Sequence, residues 1–309
     1  MTAKIGEPRR VLLPTDFSEP ASAALPYAAG IARAFGAELH LLHAVVLHDD
    51  YGEGRFPEYR EVVDSLHTRV DDLLAALSET ASAEGVTVER AERRGVAPAP
   101  VILDYVEEEG IDVIVMATHG RRGVRRLLLG SVAEEVVRHS PVPVITVRGR
   151  DRFPGDDGQV SILVAASLTE TSAPLVDYAA ALSGWTGASV SLLHAIEILR
   201  PKVVYEELPE LPQFSWKRLE SEARDRLDEL MRRSGLDPGR TTIEVVRESP
   251  AAAILGRCEG DGAPDLIVVG HRQRSGIDNL FLGSVAERIV SRCRVPVLTV
   301  PVPLVETGD

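Results

Sequence analysis

The sequence is poor in cysteine and lacks long apolar segments. Cys258 and Cys293 are the only cysteines among its 309 residues, which predicts no disulfide framework and favours a reducing cytosol. No apolar run approaches the roughly 18 residues needed to cross a bilayer, so we expect no membrane contact. The first ten residues, MTAKIGEPRR, lack the apolar segment of a signal peptide. These absences predict a cytoplasmic protein.

Positive charge is also scarce. The chain has 34 Lys and Arg against 47 Asp and Glu, a formal net charge of −13. Because phosphate contacts supply most of the affinity in nonspecific nucleic-acid binding, this balance argues against a nucleic-acid partner. The sequence also lacks the Gly-x4-Gly-Lys-Ser/Thr pattern of P-loop NTPases and any Cys/His group with zinc spacing. Residue order alone supports no catalytic triad or carboxylate pair, so we predict no enzyme active site.

The chain contains one unit twice. Residues 112–147 match residues 265–300 at a constant offset of 153, with 18 of 36 positions identical. The segment that begins at Leu12 likewise matches the segment that begins at Leu163, at an offset of 151. The repeat therefore spans almost the whole chain, as in proteins built from duplicated units.

A short seam separates the two copies. Residues 148–159, RGRDRFPGDDGQ, are rich in charge, glycine and proline, as linkers commonly are. A chain of this length favours about two domains, and roughly 150 residues are enough to bury a separate core. We therefore predict domains at residues 1–150 and 158–309.

Short apolar runs alternate with helical patterns in each copy. In the first copy, strands are predicted at 11–16, 37–46, 86–92, 112–118 and 142–147, and helices at 20–35, 58–80, 99–109 and 131–139. Strict alternation implies a parallel sheet with right-handed crossovers and helices on both faces. Ligands of such sheets bind beyond the carboxyl ends of the strands. The loops after the first and fourth strands would therefore flank one crevice if those strands are neighbours.

The segment from Ala117 to Ser131 is the first candidate for chemistry. It combines three glycines, which permit close backbone approach, with four arginines: Gly120, Gly123, Gly130, Arg121, Arg122, Arg125 and Arg126. The helix that starts at Ser131 has N-terminal amides and a dipole that favour an anion, which indicates a phosphate cradle. The alternative is structural, because Ser131 with Glu134 and Ser284 with Glu287 fit a capping box.

Asp16 is the second candidate. It lies in a proline-marked turn after the first strand, where its carboxylate would accept hydrogen bonds from an adenine amine or a ribose hydroxyl. The alternative is helix capping by Asp16 or Ser18.

His43 and His194, at equivalent strand positions, are interpreted as buried and hydrogen-bonded rather than as metal ligands. His119 either donates to a phosphate or caps a strand end.

These motifs resemble a known family. LLPTDFS, LLHAV and VIVMATHGRRGVRRLLLGSVAEEVVRHSPVPVITV, with their second copies, resemble the universal stress protein family in its tandem two-domain form. The resemblance implies two doubly wound α/β domains, each a five-stranded parallel sheet in the order 3-2-1-4-5 flanked by helices. Its ATP-binding branch carries Gly-x2-Gly-x9-Gly-Ser/Thr, which holds the phosphates, while an aspartate after strand one holds the adenosine end.

The resemblance implies an ATP site in the first domain, with Mg2+ left open. The motif falls on Ala117, Gly120, Gly130 and Ser131, with Asp16 as the aspartate. Ala117 departs from the family's glycine by one methyl group, which would crowd the ligand slightly. By the same resemblance, Pro14, Ala44 and Met116 would lie beside the nucleoside, and His119 and Val132 near the phosphates or the ribose. Thr15 and Arg121 complete the expected site.

The second domain departs further from the pattern. There the motif falls on Gly270, Gln273, Gly283 and Ser284, with Val285 next. Gln273 replaces a glycine, and a serine, Ser167, stands where the first domain has its aspartate. We therefore expect the first domain to bind ATP and the second to bind it weakly or to serve as a structural partner.

The leading functional hypothesis is a cytosolic ATP-binding stress-response protein that acts as a regulatory or sensing module. Two alternatives stay open: a nucleotide-free scaffold, and a slow ATPase or self-phosphorylating protein with Ser131 as acceptor. The resemblance also implies pairing through the last strands, so residues 142–147 and 295–300 would form an internal pseudo-dimer. Association of two chains into a homodimer is left open.

Overall fold

A computed structural model gives the fold of the chain. It describes residues 8–46, 57–118, 129–148, 153, 160–197, 216–260, 262–272 and 282–302. In the first half the elements are β1 (Arg10–Pro14), α1 (Glu19–Ala23), α2 (Leu25–Phe35), β2 (Glu38–Val46), α3 (Pro57–Ser82), β3 (Val88–Gly95), α4 (Pro98–Glu108), β4 (Val113–Ala117), α5 (Ser131–His139) and β5 (Val144–Val147).

The second half repeats this order. Its elements are β6 (Ser161–Ala165), a short 3-10 turn (Glu170–Ser172), α6 (Ala173–Thr186), β7 (Ser189–Ala195), α7 (Trp216–Ser234), β8 (Thr241–Val246), α8 (Pro250–Leu255), β9 (Leu266–Arg272), α9 (Ser284–Arg292) and β10 (Val297–Val302). None of the helices in the described ranges is long and apolar enough to cross a membrane.

The ten strands of the described ranges belong to one sheet, in the order β3-β2-β1-β4-β5-β10-β9-β6-β7-β8. Within each half the pairing is parallel and the order is 3-2-1-4-5, which confirms the predicted doubly wound fold. The halves meet where β5 pairs antiparallel with β10, with Ile145 opposite Leu298. The sheet therefore continues from one half into the other.

Successive strand residues enter two different cores, one on each face of the sheet. Leu13 and Val115 pack on the face covered by α2 and α6, whereas Leu12 and Ile114 pack on the face covered by α4, α5, α8 and α9. Side chains of a strand alternate between faces. Because both faces are covered, the strands read as continuous apolar runs.

The predicted helix 20–35 is two helices. α1 ends at Ala23, and α2 begins at Leu25 with a proline in its first turn. That proline, Pro26, lacks an N–H and cannot continue the hydrogen-bond ladder of α1, whereas proline is well tolerated at the start of a new helix. The predicted continuity across Ala24 was therefore wrong.

The cysteines are paired, contrary to the expectation from the sequence. Cys258, just after α8, and Cys293, at the end of α9, form a disulfide with their Cα atoms 5.9 Å apart. Both residues are buried. The expectation failed because cysteine count and spacing do not reveal which side chains meet in space, and the paired cysteines do not favour a reducing cytosol.

Helices α2 and α6 bring the two halves together on one face. Phe35 and Trp185 form an edge-to-face pair with ring centroids 4.3 Å apart. Phe153 packs edge-on against Tyr27 at 5.6 Å. A Cβ atom added at Gly30 would lie 2.8 Å from the Cβ of Phe153, which is closer than real Cβ contacts come. Gly30 therefore allows Phe153 to reach α2.

Two helical glycines test this contact. An added Cβ at Gly184 of α6 meets nothing within 4 Å, so Gly184→Ala should raise the free energy of unfolding by about 0.5–1 kcal/mol through helix propensity alone. Gly30→Ala offers the same propensity but displaces Phe153, so we expect no gain and a loss of about 1 kcal/mol or more. Urea unfolding of both variants measures the difference. Equal stabilisation by the two substitutions would show that Phe153 does not press on Gly30.

Candidate functional site

The first and fourth strands of each half are neighbours. Val11 pairs with Val113 and Leu12 with Ile114, so two residues further on Pro14 and Met116 lie at the same level. Adjacent strands are about 4.8 Å apart. The turn after β1, with Thr15 and Asp16, and the segment after β4, which begins past Ala117, therefore leave the sheet side by side.

The turn after β1 is held by its own hydrogen bonds. The Thr15 N–H donates to Leu42 O at 2.8 Å, and the Ser18 N–H donates to Asp16 Oδ1 at 3.0 Å. Phe17 adopts a φ of 60°, which is uncommon for a residue other than glycine. The Asp16 carboxylate is thus fixed in the turn. Ser18 caps α1 by accepting from the Ala21 N–H at 3.3 Å, so the capping role falls to Ser18.

The two strand histidines make the same contact in each half. His43 Nδ1 lies 2.8 Å from Thr15 O, and His194 Nδ1 lies 2.9 Å from Ala166 O. Both histidines are hydrogen-bonded as predicted, although they are half-buried rather than fully buried. Each histidine joins β2 or β7 to the turn at the crevice, and therefore positions that turn.

The segment between β4 and α5 is closed at its base. The Gly130 N–H donates to Thr118 O at 2.7 Å, and Gly130 is the N-cap of α5 without a side-chain cap bond. The capping box proposed for Ser131 and Glu134 is therefore wrong. Ser131 is the first helical residue, and Glu134 pairs with Arg138 instead. The same holds for Ser284, because Gly283 caps α9 without a side-chain bond.

Three predicted site residues lie outside the part of the chain that the structure describes: His119, Gly120 and Arg121. The remaining predicted residues of the first half all lie at the ends of the strands or at the start of α5. Ala44 belongs to β2, and Met116 is buried at the end of β4. Val132 is the second residue of α5.

The second half contains a cavity of about 420 Å³ at the equivalent place. Its lining includes all four predicted residues of the weaker site: Gly270, Gly283, Ser284 and Val285. The volume lies in the range of small-molecule sites. No Asp, Glu, Lys or Arg side chain of the described ranges lines it, so hydroxyls, one histidine and the start of α9 supply its polarity.

A hydroxyl cluster stands where the first half has its carboxylate. Ser167 Oγ lies 2.7 Å from Thr169 Oγ1 and 2.9 Å from Ser172 Oγ. The Ser172 Oγ also accepts from the Ser167 N–H at 2.7 Å. These hydroxyls satisfy one another, and they carry no charge. Sequence reasoning named Ser167 but missed its partners Thr169 and Ser172, although the run SLTETS, residues 167–172, was a visible signal.

Ala117, which departs from the family pattern, is matched by a smaller neighbour in the core. A Cβ atom added at Gly270, the equivalent of Ala117, would lie 3.3 Å from Leu175 Cδ1. The first half has a buried alanine, Ala24, at the position of Leu175. The smaller neighbour leaves room for the methyl group of Ala117. The methyl group of Ala117 was expected to crowd the ligand. Its room is instead in the core, where Ala24 takes the place of the larger Leu175.

Gly283 cannot be replaced without strain. Its φ of 80° lies in the left-handed region, whereas Gly130 has a φ of −64°. The chain thus enters α9 by a different path from α5.

The described residues contain no group of three or more His, Cys, Asp or Glu that could hold a metal ion.

A buried histidine beside the second crevice was also missed. His271 follows Gly270 in β9 and is 1% exposed. Within the described part of the chain, neither ring nitrogen has a hydrogen-bond partner. Burial, together with the positive charges of Arg138 and His139, lowers the pKa of His271 from 6.5 to about 4. The first half has Thr118 at this position.

The fold and the crevice define the class of the protein. It is a tandem pair of doubly wound α/β domains, with a cavity at the carboxyl ends of the strands in the second half. The sequence profile of the Universal stress protein family matches residues 7–148 and 161–301. The chain therefore belongs to the universal stress protein family.

Individual relatives agree with this assignment. A universal stress protein of Methanocaldococcus jannaschii is 31% identical over 140 residues, which is 45% of this chain and 82% of the relative. A universal stress protein of Mycobacterium tuberculosis is 26% identical over 233 residues, 74% of each chain. The crystal structure of a universal stress protein from Archaeoglobus fulgidus superposes with a TM-score of 0.71 at 21% identity, covering 96% of this chain and 99% of the other. That structure supports the fold.

His271 predicts a specific loss of stability in acid. Its folded pKa of about 4 lies below the ordinary 6.5, so the unfolded chain binds a proton that the folded chain resists. The contribution of neutral His271 to the free energy of unfolding is fully present above pH 6.5. It is lost as the pH falls toward 4, by at most about 3 kcal/mol. The variant His271→Thr should lose less stability than the wild type over this range, as measured by urea unfolding from pH 7 to 4. A difference between the two proteins that stays constant with pH would contradict this prediction.

Proposed function

We propose that this chain is a cytoplasmic, ATP-binding stress-response protein that acts as a nucleotide-dependent regulatory or sensing module rather than as an enzyme. One observation carries the proposal: β1 and β4 are adjacent, so the fixed carboxylate of Asp16 and the start of α5 flank one crevice. Such a crevice at a topological switch point is where doubly wound sheets bind ligands.

The two sides of this crevice suit the two ends of a nucleotide. Asp16 would accept a hydrogen bond from the ribose or the adenine amine, and the bond from the Ser18 N–H holds its carboxylate in place. At the other side, the N–H groups of Ser131, Val132 and Ala133 belong to the first turn of α5 and have no intrahelical acceptor. Together with the helix dipole, they favour phosphate.

The second half suits a nucleotide less well. Its cavity has the volume for a ligand, but the hydroxyls of Ser167, Thr169 and Ser172 bond to one another in place of a carboxylate. A ligand would have to compete with those bonds. We therefore propose that the second half binds ATP more weakly and keeps its fold mainly as a partner of the first.

The two halves act as one intrachain pseudo-dimer in this proposal, with domains at residues 1–150 and 158–309. The antiparallel pairing of β5 with β10 and the bond from Arg148 Nη2 to Val290 O, 2.8 Å long, support it. Association of two chains into a homodimer is left open.

Residues of the second half, placed in the first, test the proposed site. Asp16→Ser removes the carboxylate and Gly120→Gln obstructs the approach of the phosphates, so each should weaken ATP binding by about tenfold or more, since about 1.4 kcal/mol corresponds to a factor of ten. Titration calorimetry with ATP gives the dissociation constants. The matched control, Ser167→Ala, changes the equivalent position of the second half and should leave the tight site unchanged.

The same preparations separate the alternatives. If the wild type carries no adenine nucleotide and has no measurable affinity for ATP, the nucleotide-free scaffold replaces this proposal. If ATP is converted to ADP faster than in a Ser131→Ala control, the protein is a slow enzyme. Equal ATP affinity in wild type, Asp16→Ser and Gly120→Gln would place the nucleotide elsewhere.

A further inference from the structure

A second cavity lies between the two halves, at the other end of the strands from the nucleotide crevice. Its volume is about 280 Å³, and it reaches the starts of β4 and β9 at Val113 and Leu266. Helices α2 and α6 supply its walls. At its edge, the edge-to-face pair of Phe35 and Trp185 lines the space, and Trp185 is 37% exposed. The cavity therefore adjoins solvent beside an aromatic pair.

Two polar groups stand out in this apolar lining. The Asp112 carboxylate accepts from the backbone N–H groups of Arg9 and Arg10, at 2.7 and 3.0 Å through Oδ2, which fixes it beside the cavity. The Tyr178 hydroxyl is the second. Burial, and secondarily the charge of Asp112, raise the pKa of Tyr178 to about 12, so the phenol stays protonated at neutral pH. Among the described residues that line it, the cavity thus has one carboxylate, Asp112, and one tyrosine, Tyr178.

The two tyrosines related by the repeat have different surroundings. Tyr27 is fully buried and is covered by the ring of Phe153, in edge-to-face contact at 5.6 Å. Tyr178, its equivalent in α6, is only half-buried and lines the cavity. Phe153, in the seam between the halves, covers Tyr27 with its ring and also lines this cavity. A ligand ring in the remaining space would cover Tyr178 as Phe153 covers Tyr27.

We propose that this interdomain cavity binds a compact apolar molecule of one or two rings that carries a hydrogen-bond donor, and that it rejects carboxylates. The size follows from the volume, since an apolar cavity of about 150 Å³ holds benzene. The polar preference follows from Asp112, an exposed carboxylate at the rim of the cavity, which accepts a hydrogen bond from a donor and repels a negative charge placed beside it. This site is independent of the nucleotide crevice, so either proposal can fail alone.

A pair of ligands with the same ring tests the proposal. Titration calorimetry of the full chain with 2-naphthol, a neutral donor, should show saturable binding of one equivalent. With 2-naphthoate, which has the same rings and a carboxylate, binding should be about tenfold weaker or absent. Equal binding of both compounds, or no binding of 2-naphthol, would overturn the proposal; the latter result would mean that the space is filled or closed in solution.

Two variants locate the binding. Ala181→Phe places a ring in the cavity that Ala181 lines, and should abolish 2-naphthol binding. Ala252→Phe makes the same change at an exposed alanine of α8 and is the control. Asp112→Asn keeps an acceptor without the charge, so it should bring the affinity for 2-naphthoate to within a few-fold of that for 2-naphthol. Asp112→Asn tests the location of the site even if Ala181→Phe does not fold. Unchanged discrimination in Asp112→Asn would contradict the role of Asp112.

Discussion

The antiparallel pairing of β5 with β10 determines how the two halves of the chain are arranged. Each of these strands would otherwise be the exposed edge of a five-stranded parallel sheet, and unpaired edges are open to association with other chains. Their pairing makes one sheet of ten strands and relates the halves by an approximate two-fold axis. It also brings α2 against α6, so that Phe35 meets Trp185 and an apolar cavity remains beside Tyr178.

On this common frame the two crevices have diverged in chemistry but not in construction. The turn after the first strand is tied to the second strand in the same way in both halves, from Thr15 N–H to Leu42 O and from Ala166 N–H to Leu193 O. What changes is the group that the turn presents: a carboxylate in the first half and a cluster of hydroxyls around Ser167 in the second. A duplicated fold thus presents two different polar groups from the same turn.

The two-domain organisation and the parallel α/β fold could be predicted from the sequence, because the repeat and the alternation of strands and helices are visible in the residue pattern. The strand order came from the family resemblance rather than from the residues, since periodicity does not say which strands are neighbours. The predictions that failed have physical causes. Pro26 starts a new helix instead of continuing one, and Gly130 takes the cap position expected for Ser131. The disulfide of Cys258 and Cys293 and the burial of His271 depend on packing between distant segments, which no short motif encodes.

The central claim is that two similar crevices are unequal toward the same ligand. The number of ATP molecules bound per chain tests it most directly, by equilibrium dialysis of the full chain with labelled ATP over a wide concentration range. The account predicts one tight equivalent per chain, followed by weak binding or none, because among the described residues the turn after β1 presents a carboxylate, Asp16, whereas the turn after β6 presents hydroxyls. Two equivalents of equal affinity, or tight binding that persists in Asp16→Ser but disappears in Ser167→Ala, would contradict it.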